Sequence, residues 1–334
     1  MSRSATQADS GPPPAVRSCW VVTDGKIGME SQCLALAAAL GISPEVKRLE
    51  TRIPWRWLPP ALWRDPLRAV AGATLDPPWP ELLIASGRQA VAPALAVRRA
   101  SKGRSFVVQI QNPTVALARF DLVVAPRHDR LAGENLIETL GGLNAVTDET
   151  LAAAMERFGA ALAHLPHPRI AVVLGGPSKV HRMDEAIAAD LGQRLAALAK
   201  AEGGALLVTS SRRTGEANEA AIAKAIQGVP SVFWTGYGDN PYFAYLALAD
   251  SIVVTADSVN MISEAAATGK PIFVADLPGG SAKFERFHRA LSEAGIIRPF
   301  AGRLEQWHYP PLRETERVAA EITQRLRKRA AQNS

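Results

Sequence analysis

The chain of 334 residues contains only two cysteines, Cys19 and Cys33. Their spacing matches neither a zinc site nor a CxxC redox pair, which excludes a disulfide framework and points to a reducing compartment. No apolar run approaches the ~18 residues of a membrane-crossing helix. The opening MSRSATQADSGPPPAV lacks the apolar segment of a secretory signal and reads as a disordered tail over residues 1–17. A cytoplasmic protein is expected, with room for peripheral association at the inner face of the membrane. Several motifs are also missing. No GxGxxG follows the first strand, and there is no Walker A sequence, GxSxG elbow, HExxH pair or Asp-x-Asp metal pair. These absences argue against a dinucleotide fingerprint, a P-loop, a serine hydrolase, a zinc hydrolase and a metal-held diphosphate, so neither metal nor cofactor is expected.

Hydrophobic residues make up 47% of the chain and the formal net charge is +6. This much apolar material supports globular cores, and the length suggests two domains of ~150 residues. The modest positive excess suits an anionic small ligand or membrane surface, and it lacks the dense stripe of a nucleic-acid binder.

Short apolar runs alternate with helical stretches. CWVVTD, ELLIAS, SFVVQI and DLVVAP read as buried strands in the first half. IAVVLGG, ALLVTSS, SVFWTG, SIVVTAD and PIFVADL repeat the pattern in the second. Strand–helix alternation of this kind predicts an α/β fold with two Rossmann-like domains facing across a cleft. The expected boundaries are 18–165, 166–312 and a C-terminal helix with tail over 313–334, with HLPHPR (164–169) as the joint.

In open α/β sheets, ligands bind beyond the carboxyl ends of the strands. After the first strand come Thr23, Asp24, Gly25 and Lys26, and later loops of the first half add Ser86, Arg88, Gln111 and Asn112, a set expected to face the acceptor. The second half offers Gly175, Gly176, Ser178, Ser211, Arg212, Arg213, Asp257, Ser258 and Asn260. Glycines admit close backbone approach to phosphate, arginines bind it bidentately, and a helix start adds a favourable dipole. Each loop alone is an ordinary turn, whereas several converging on one sheet edge suggest a diphosphate site. The stretch IPWRWLPPALWRDPLRAV interleaves three tryptophans with arginines. It reads either as an interfacial membrane segment or as a helix packed on the first sheet.

Together, WVVTDGKIGMESQCLALAAALG, ASGR (85–88), QIQNP (109–113), TSSRRT, GDNPY and VTADSVNMISEAAATGKPIFV resemble the mitochondrial-fission (elongated-mitochondria) family over roughly residues 19–310. Its plant members are linked to mitochondrial division, and some bacterial members carry the label of nucleoside-diphosphate-sugar epimerase. The second half more distantly resembles GT-B glycosyltransferases, such as the enzyme that adds N-acetylglucosamine to lipid-linked muramyl peptide. In those enzymes the segment matching TADSVNMISEA cradles a donor diphosphate, and a glutamate grips the ribose. The resemblance assigns that glutamate to Glu264, which is expected to face solvent when the site is empty. Asp257 departs from the pattern, since an acidic group beside a diphosphate requires a cation partner. The resemblance implies a glycosyltransferase-like protein that takes a nucleoside-diphosphate sugar in the cleft and serves a lipid-linked or membrane-surface acceptor. Asp24, then His128, are the candidate bases for the acceptor hydroxyl. The alternatives are an epimerase of the same fold and a non-catalytic membrane or partner adaptor.

Overall fold

A computed structural model describes residues 16–333. Most of the expected tail 1–17 therefore lies outside the described residues. By contact the chain divides into two units, residues up to Val123 together with Thr315 onward, and Val124–Glu314. The expected joint at 164–169 lies inside the second unit. The C-terminal helix belongs with the first.

The chain opens with β1 (Cys19–Thr23), α1 (Ile27–Ala39), β2 (Glu45–Thr51), β3 (Val70–Gly72), β4 (Leu82–Ser86), α2 (Arg88–Ala100), β5 (Phe106–Ile110), β6 (Leu122–Pro126) and β7 (Leu136–Thr139). These strands form one sheet of order β3-β2-β1-β4-β5-β6-β7. Pairing is parallel at β1–β2, β1–β4 and β4–β5, and only β3 is shown antiparallel, on the β2 edge. The continuous apolar runs of β1, β4 and β5 are buried throughout, as a sheet covered on both faces requires.

The helix considered for the tryptophan-rich stretch does not form. Residues 52–69 are turns around a single 3₁₀ turn, Pro60–Leu62. Pro54, Pro59, Pro60 and Pro66 each remove a backbone donor, which denies a helix its ladder. Trp63 is buried and donates Nε1–H to the Leu58 carbonyl at 3.3 Å. Trp57 is 70% exposed, beside exposed Ile53 and Leu62.

The second unit continues with α3 (Asp148–Leu162), β8 (Arg169–Leu174), α4 (Glu185–Glu202), β9 (Ala205–Ser210), α5 (Glu216–Ala225), β10 (Ser231–Trp234) and α6 (Tyr242–Leu248). It closes with β11 (Ser251–Thr255), α7 (Val259–Ala266), β12 (Ile272–Ala275), α8 (Ala282–Glu293) and β13 (Ile297–Pro299), followed by α9 (Glu314–Asn333). Its six strands are ordered β10-β9-β8-β11-β12-β13 and every pair is parallel. Alternate residues of β8 serve opposite faces. Ala171 and Val173 join a core with Tyr245, Ile262 and Phe287, while Ile170, Val172 and Leu174 join one with Leu191, Leu195 and Ile222. Helices α3, α6, α7 and α8 thus cover one face, and α4 and α5 the other. In both sheets the strand order reverses beside the first strand, the doubly wound arrangement that opens a crevice at its carboxyl edge.

Candidate functional site

In the second unit the crevice lies between β8 and β11, whose following loops are Gly175–Gly176 and Asp257–Ser258. The two loops are knotted together. Gly175 N–H donates to Thr255 Oγ1 at 2.7 Å, Gly176 N–H donates to Asp257 Oδ2 at 3.0 Å, and the Thr255 hydroxyl donates to Asp257 Oδ1 at 2.7 Å. Arg213 Nη2 stands 2.6 Å from Asp257 Oδ2, and the Asp257 side chain has no exposed surface. Arg213 Nη1 also donates to the Gly176 carbonyl at 2.9 Å, and the Ser211 hydroxyl donates to the Gly175 carbonyl at 3.1 Å. A β-carbon at Gly175 would overlap both carboxylate oxygens of Asp257, and one at Gly176 would overlap the Arg213 backbone.

This geometry changes several expectations. The amides of Gly175 and Gly176 serve the protein's own Thr255 and Asp257, so they do not wait for a phosphate. Asp257 does have the cation partner it requires, but that partner is Arg213, which removes Arg213 from the free diphosphate clamp. Ser211 is a strut, and the Ser178 hydroxyl accepts from Val180 N–H and His181 N–H at 3.2 and 3.0 Å within its own turn. Arg212 and Lys179 are exposed, and neither has a charged partner among the described residues.

Helix α7 starts cleanly, because Ser258 Oγ accepts from Met261 N–H at 3.3 Å. Six residues on, Glu264 is half-buried rather than open to solvent. The Tyr242 hydroxyl donates to its Oε2 at 2.8 Å, and Oε1 has no partner among the described residues. Burial pushes the Glu264 carboxyl up to about 7, against the smaller downward pull of the tyrosine bond. Among the described residues no lysine neutralises it. Lys270 Nζ instead donates to the Leu246, Ala247 and Ala249 carbonyls at the end of α6, the helix that carries Tyr242, and Lys283 pairs with Asp129 at 2.7 Å. Asn260 lies four residues before Glu264, on the same helical face. Ser263 points the other way. Its hydroxyl donates to the Val259 carbonyl and accepts from Gly142 N–H at 2.8 Å, tying α7 to the loop after β7.

Two histidines at this edge escape a reading of the strand ends alone. His181 is buried, edge-on to Phe284 with ring centroids 4.7 Å apart. His288 on α8 has a buried Nε2 without a partner, and burial lowers its pKa. The sequence signal for His181 was present in VHRMDE, immediately after the glycine loop, but its position on the crevice needs the fold of residues 178–182 back onto Gly279 and Gly280.

In the first unit the corresponding crevice lies between β1 and β4. Asp24 pairs through Oδ2 with Lys26, while its Oδ1 is buried without a hydrogen-bond partner. Gly87 sits over it at φ +89°, where a β-carbon would strike Met29 Sδ and lie 3.6 Å from Asp24 Oδ1. Gly25 N–H donates to Thr23 Oγ1 at 3.0 Å. The Arg88 guanidinium donates to the Leu58 carbonyl at 3.0 Å and so holds the tryptophan-bearing loop. Asn112 turns its side chain back to Thr114 N–H at 2.8 Å, and Gln111 is partly buried at φ +70°. Ser86 is corrected: its side chain is fully buried and cannot reach an acceptor. His128, which belongs to the second unit, is corrected as well. It is buried with its ring edge-on to Phe287, centroids 5.3 Å apart, and burial lowers its pKa to about 4, which leaves a weak and inaccessible base. Among the described residues no group of three or more His, Cys, Asp or Glu is placed to hold a metal ion.

The sequence pattern of the family described as "Mitochondrial fission ELM1" matches residues 27–326. The chain belongs to this family. The Arabidopsis thaliana protein "Mitochondrial fission protein ELM1" is 33% identical over 284 residues, covering 77% of this chain. The alignment spans 66% of that relative, just under two thirds of its length. Among solved structures, a Listeria monocytogenes protein described as "putative UDP-N-acetylglucosamine 2-epimerase" superposes with a TM-score of 0.53 at 10% identity, covering 91% of this chain and 87% of that one. A UDP-GlcNAc 2-epimerase from Methanocaldococcus jannaschii, solved with UDP-GlcNAc and UDP, gives 0.51 at 10% identity, covering 92% and 99%. At such identities the likeness is one of fold. This ELM1-family chain has two Rossmann-like α/β units of the GT-B type.

Proposed function

We propose that the second unit binds a nucleoside-diphosphate sugar at its carboxyl-edge crevice and that the protein transfers the sugar to an acceptor. The observation that carries this reading is Glu264. It stands about 9 Å along α7 from the serine-capped start, at ~1.5 Å per residue, close to the span from a diphosphate to a ribose. One carboxylate oxygen is steadied by Tyr242, and the other is open to accept from a ribose hydroxyl. Arg212 and Lys179 are the cations left to meet the leaving diphosphate, where negative charge develops. The Asp257–Arg213 knot shapes the floor beneath them. Asp24, with its unpartnered Oδ1, is our assignment for the group that deprotonates the acceptor hydroxyl. The shared fold with a UDP-GlcNAc 2-epimerase solved with UDP-GlcNAc and UDP favours a uridine nucleotide. An epimerase is the second reading, supported by the same likeness in fold. Exposed Ile53, Trp57 and Leu62 beside Arg52 and Arg56 support a membrane-surface acceptor. No helix of the described residues is long and apolar enough to cross a membrane.

A thermal-shift panel of UDP, GDP, CMP and their sugars tests the reading. At a hundredfold excess over Kd, a ligand adds about 2.7 kcal/mol to stability, a rise of several degrees. The expected result is such a rise for one nucleotide family, undiminished by EDTA because protein cations hold the diphosphate. A flat panel, or a shift that EDTA abolishes, counts against it.

A further inference from the structure

We propose a separate anion site on the first unit, a pocket at the carboxyl end of α2 that takes clustered phosphate groups. The pocket is an open concavity of about 400 Å³ lined by Leu95, Arg98, Arg99, Lys102, Gly103 and Arg119. Its cations arrive from different elements: Arg98 and Arg99 from the last turn of α2, Lys102 from the following turn, and Arg119 from the 3₁₀ turn Leu117–Arg119. Arg329 of α9 reaches the same corner, where it donates to the Gly103 and Arg104 carbonyls.

The nearby carboxylate, Asp121, is already satisfied. Arg98 grips it with two bonds of 2.9 Å, Val107 N–H donates to it at 2.8 Å, and Arg329 stands 3.8 Å away. Arg99, Lys102 and Arg119 have no carboxylate partner among the described residues. Cations in the last turn of a helix ordinarily complement its dipole, which accounts for Arg98 and Arg99. It does not account for Arg119, which belongs to another element and lines the same opening, while Arg329 braces the corner from behind through the Gly103 and Arg104 carbonyls. Like charges held around one concavity repel one another until a counter-anion enters. Guanidinium groups favour phosphate because they bind it bidentately. The volume lies in the range of small-ligand sites, which fits a compact anion with two or more phosphates rather than a long duplex. Such phosphates come either from a soluble polyphosphate or from phospholipid headgroups.

The test is titration of inorganic tripolyphosphate into the full chain and into Arg99→Ala/Lys102→Ala/Arg119→Ala. These three side chains are exposed, so the melting temperature without ligand should hold. Affinity is expected to fall at least about tenfold, as loss of one or more charge-assisted bonds implies. An Arg212→Ala/Lys179→Ala variant, altered only in the second unit, is expected to keep the binding that the triple variant loses, whether or not tripolyphosphate also enters the second-unit crevice. That control separates this site from the nucleotide site, so failure of either proposal leaves the other standing. A sedimentation arm uses phosphatidylglycerol and phosphatidylcholine vesicles. Capture by the anionic vesicles alone, lost in the triple variant and competed by tripolyphosphate, assigns the phosphates to lipid headgroups. Indifference to both vesicles, with tripolyphosphate still bound, assigns them to a soluble anion. Absence of tripolyphosphate binding, equal binding by the triple variant, or loss only in the second-unit variant overturns the proposal.

Discussion

Arg213→Ala is expected to destabilise the second unit by about 3 kcal/mol, the scale for removing one partner of a buried ion pair. Asp257 has no exposed side-chain surface and sits between the loops that follow β8 and β11, so loss of Arg213 strands a negative charge there. Gly176 N–H and the Thr255 hydroxyl still donate to it, and Arg213 is partly exposed, so water can replace some of what is lost. These factors place the cost at the lower end of the range for buried pairs. Chemical denaturation measures it. Arg213→Ala/Asp257→Asn should recover much of the loss, because the second change removes the stranded charge. Arg212→Ala, one residue away and exposed, should leave the denaturation midpoint in place. Equal, small effects from Arg212→Ala and Arg213→Ala would show that the buried pair does not organise the loops.

Glu264→Ala is expected to weaken nucleotide binding by ~1.5–3 kcal/mol, the range for a hydrogen bond to a charged group, or about tenfold to a hundredfold in Kd by calorimetry. Its effect on the fold has the opposite sign at neutral pH. The carboxyl titrates at about 7 in the folded protein against 4.5 for an ordinary glutamate. The folded state therefore holds this proton more tightly than the unfolded chain does. Stability from this group is fullest below about 4.5 and declines as pH rises toward about 7. Glu264→Gln removes that decline, so its melting temperature should gain on wild type between pH 5 and pH 7.5. Nucleotide binding by wild type should strengthen over the same interval, because the ionised carboxylate is the better acceptor for ribose hydroxyls. Parallel melting curves across this interval, with unchanged nucleotide affinity in Glu264→Ala, would reduce Glu264 to a structural partner of Tyr242.

The central strands were legible because a sheet covered on both faces imposes long apolar runs, as in IAVVL and SIVVT. The edges were not. β2 (EVKRLET) alternates between exposed and buried residues, and β3 and β13 are three residues each, so neither offers a continuous run. Helix α8 carried a readable start, with Ser281 accepting from Phe284 N–H at 3.5 Å, but its apolar face is narrow. The tryptophan stretch misled because its aromatic content outweighed four prolines. At the candidate site, the loops could be placed from strand ends alone. Their internal pairings could not, since Asp257 finds Arg213 across 44 positions and Glu264 finds Tyr242 across 22. Only the 3-2-1-4 strand order brings such partners to one edge.

Hydrogen exchange read by mass spectrometry, with and without a saturating nucleotide from the thermal-shift panel, tests the central claim most directly. The account predicts slowed exchange in peptides covering residues 175–182, 209–215 and 256–266, with the α2 carboxyl end unchanged. Protection confined to the first unit, or no protection in those three segments while the nucleotide is bound, would contradict it.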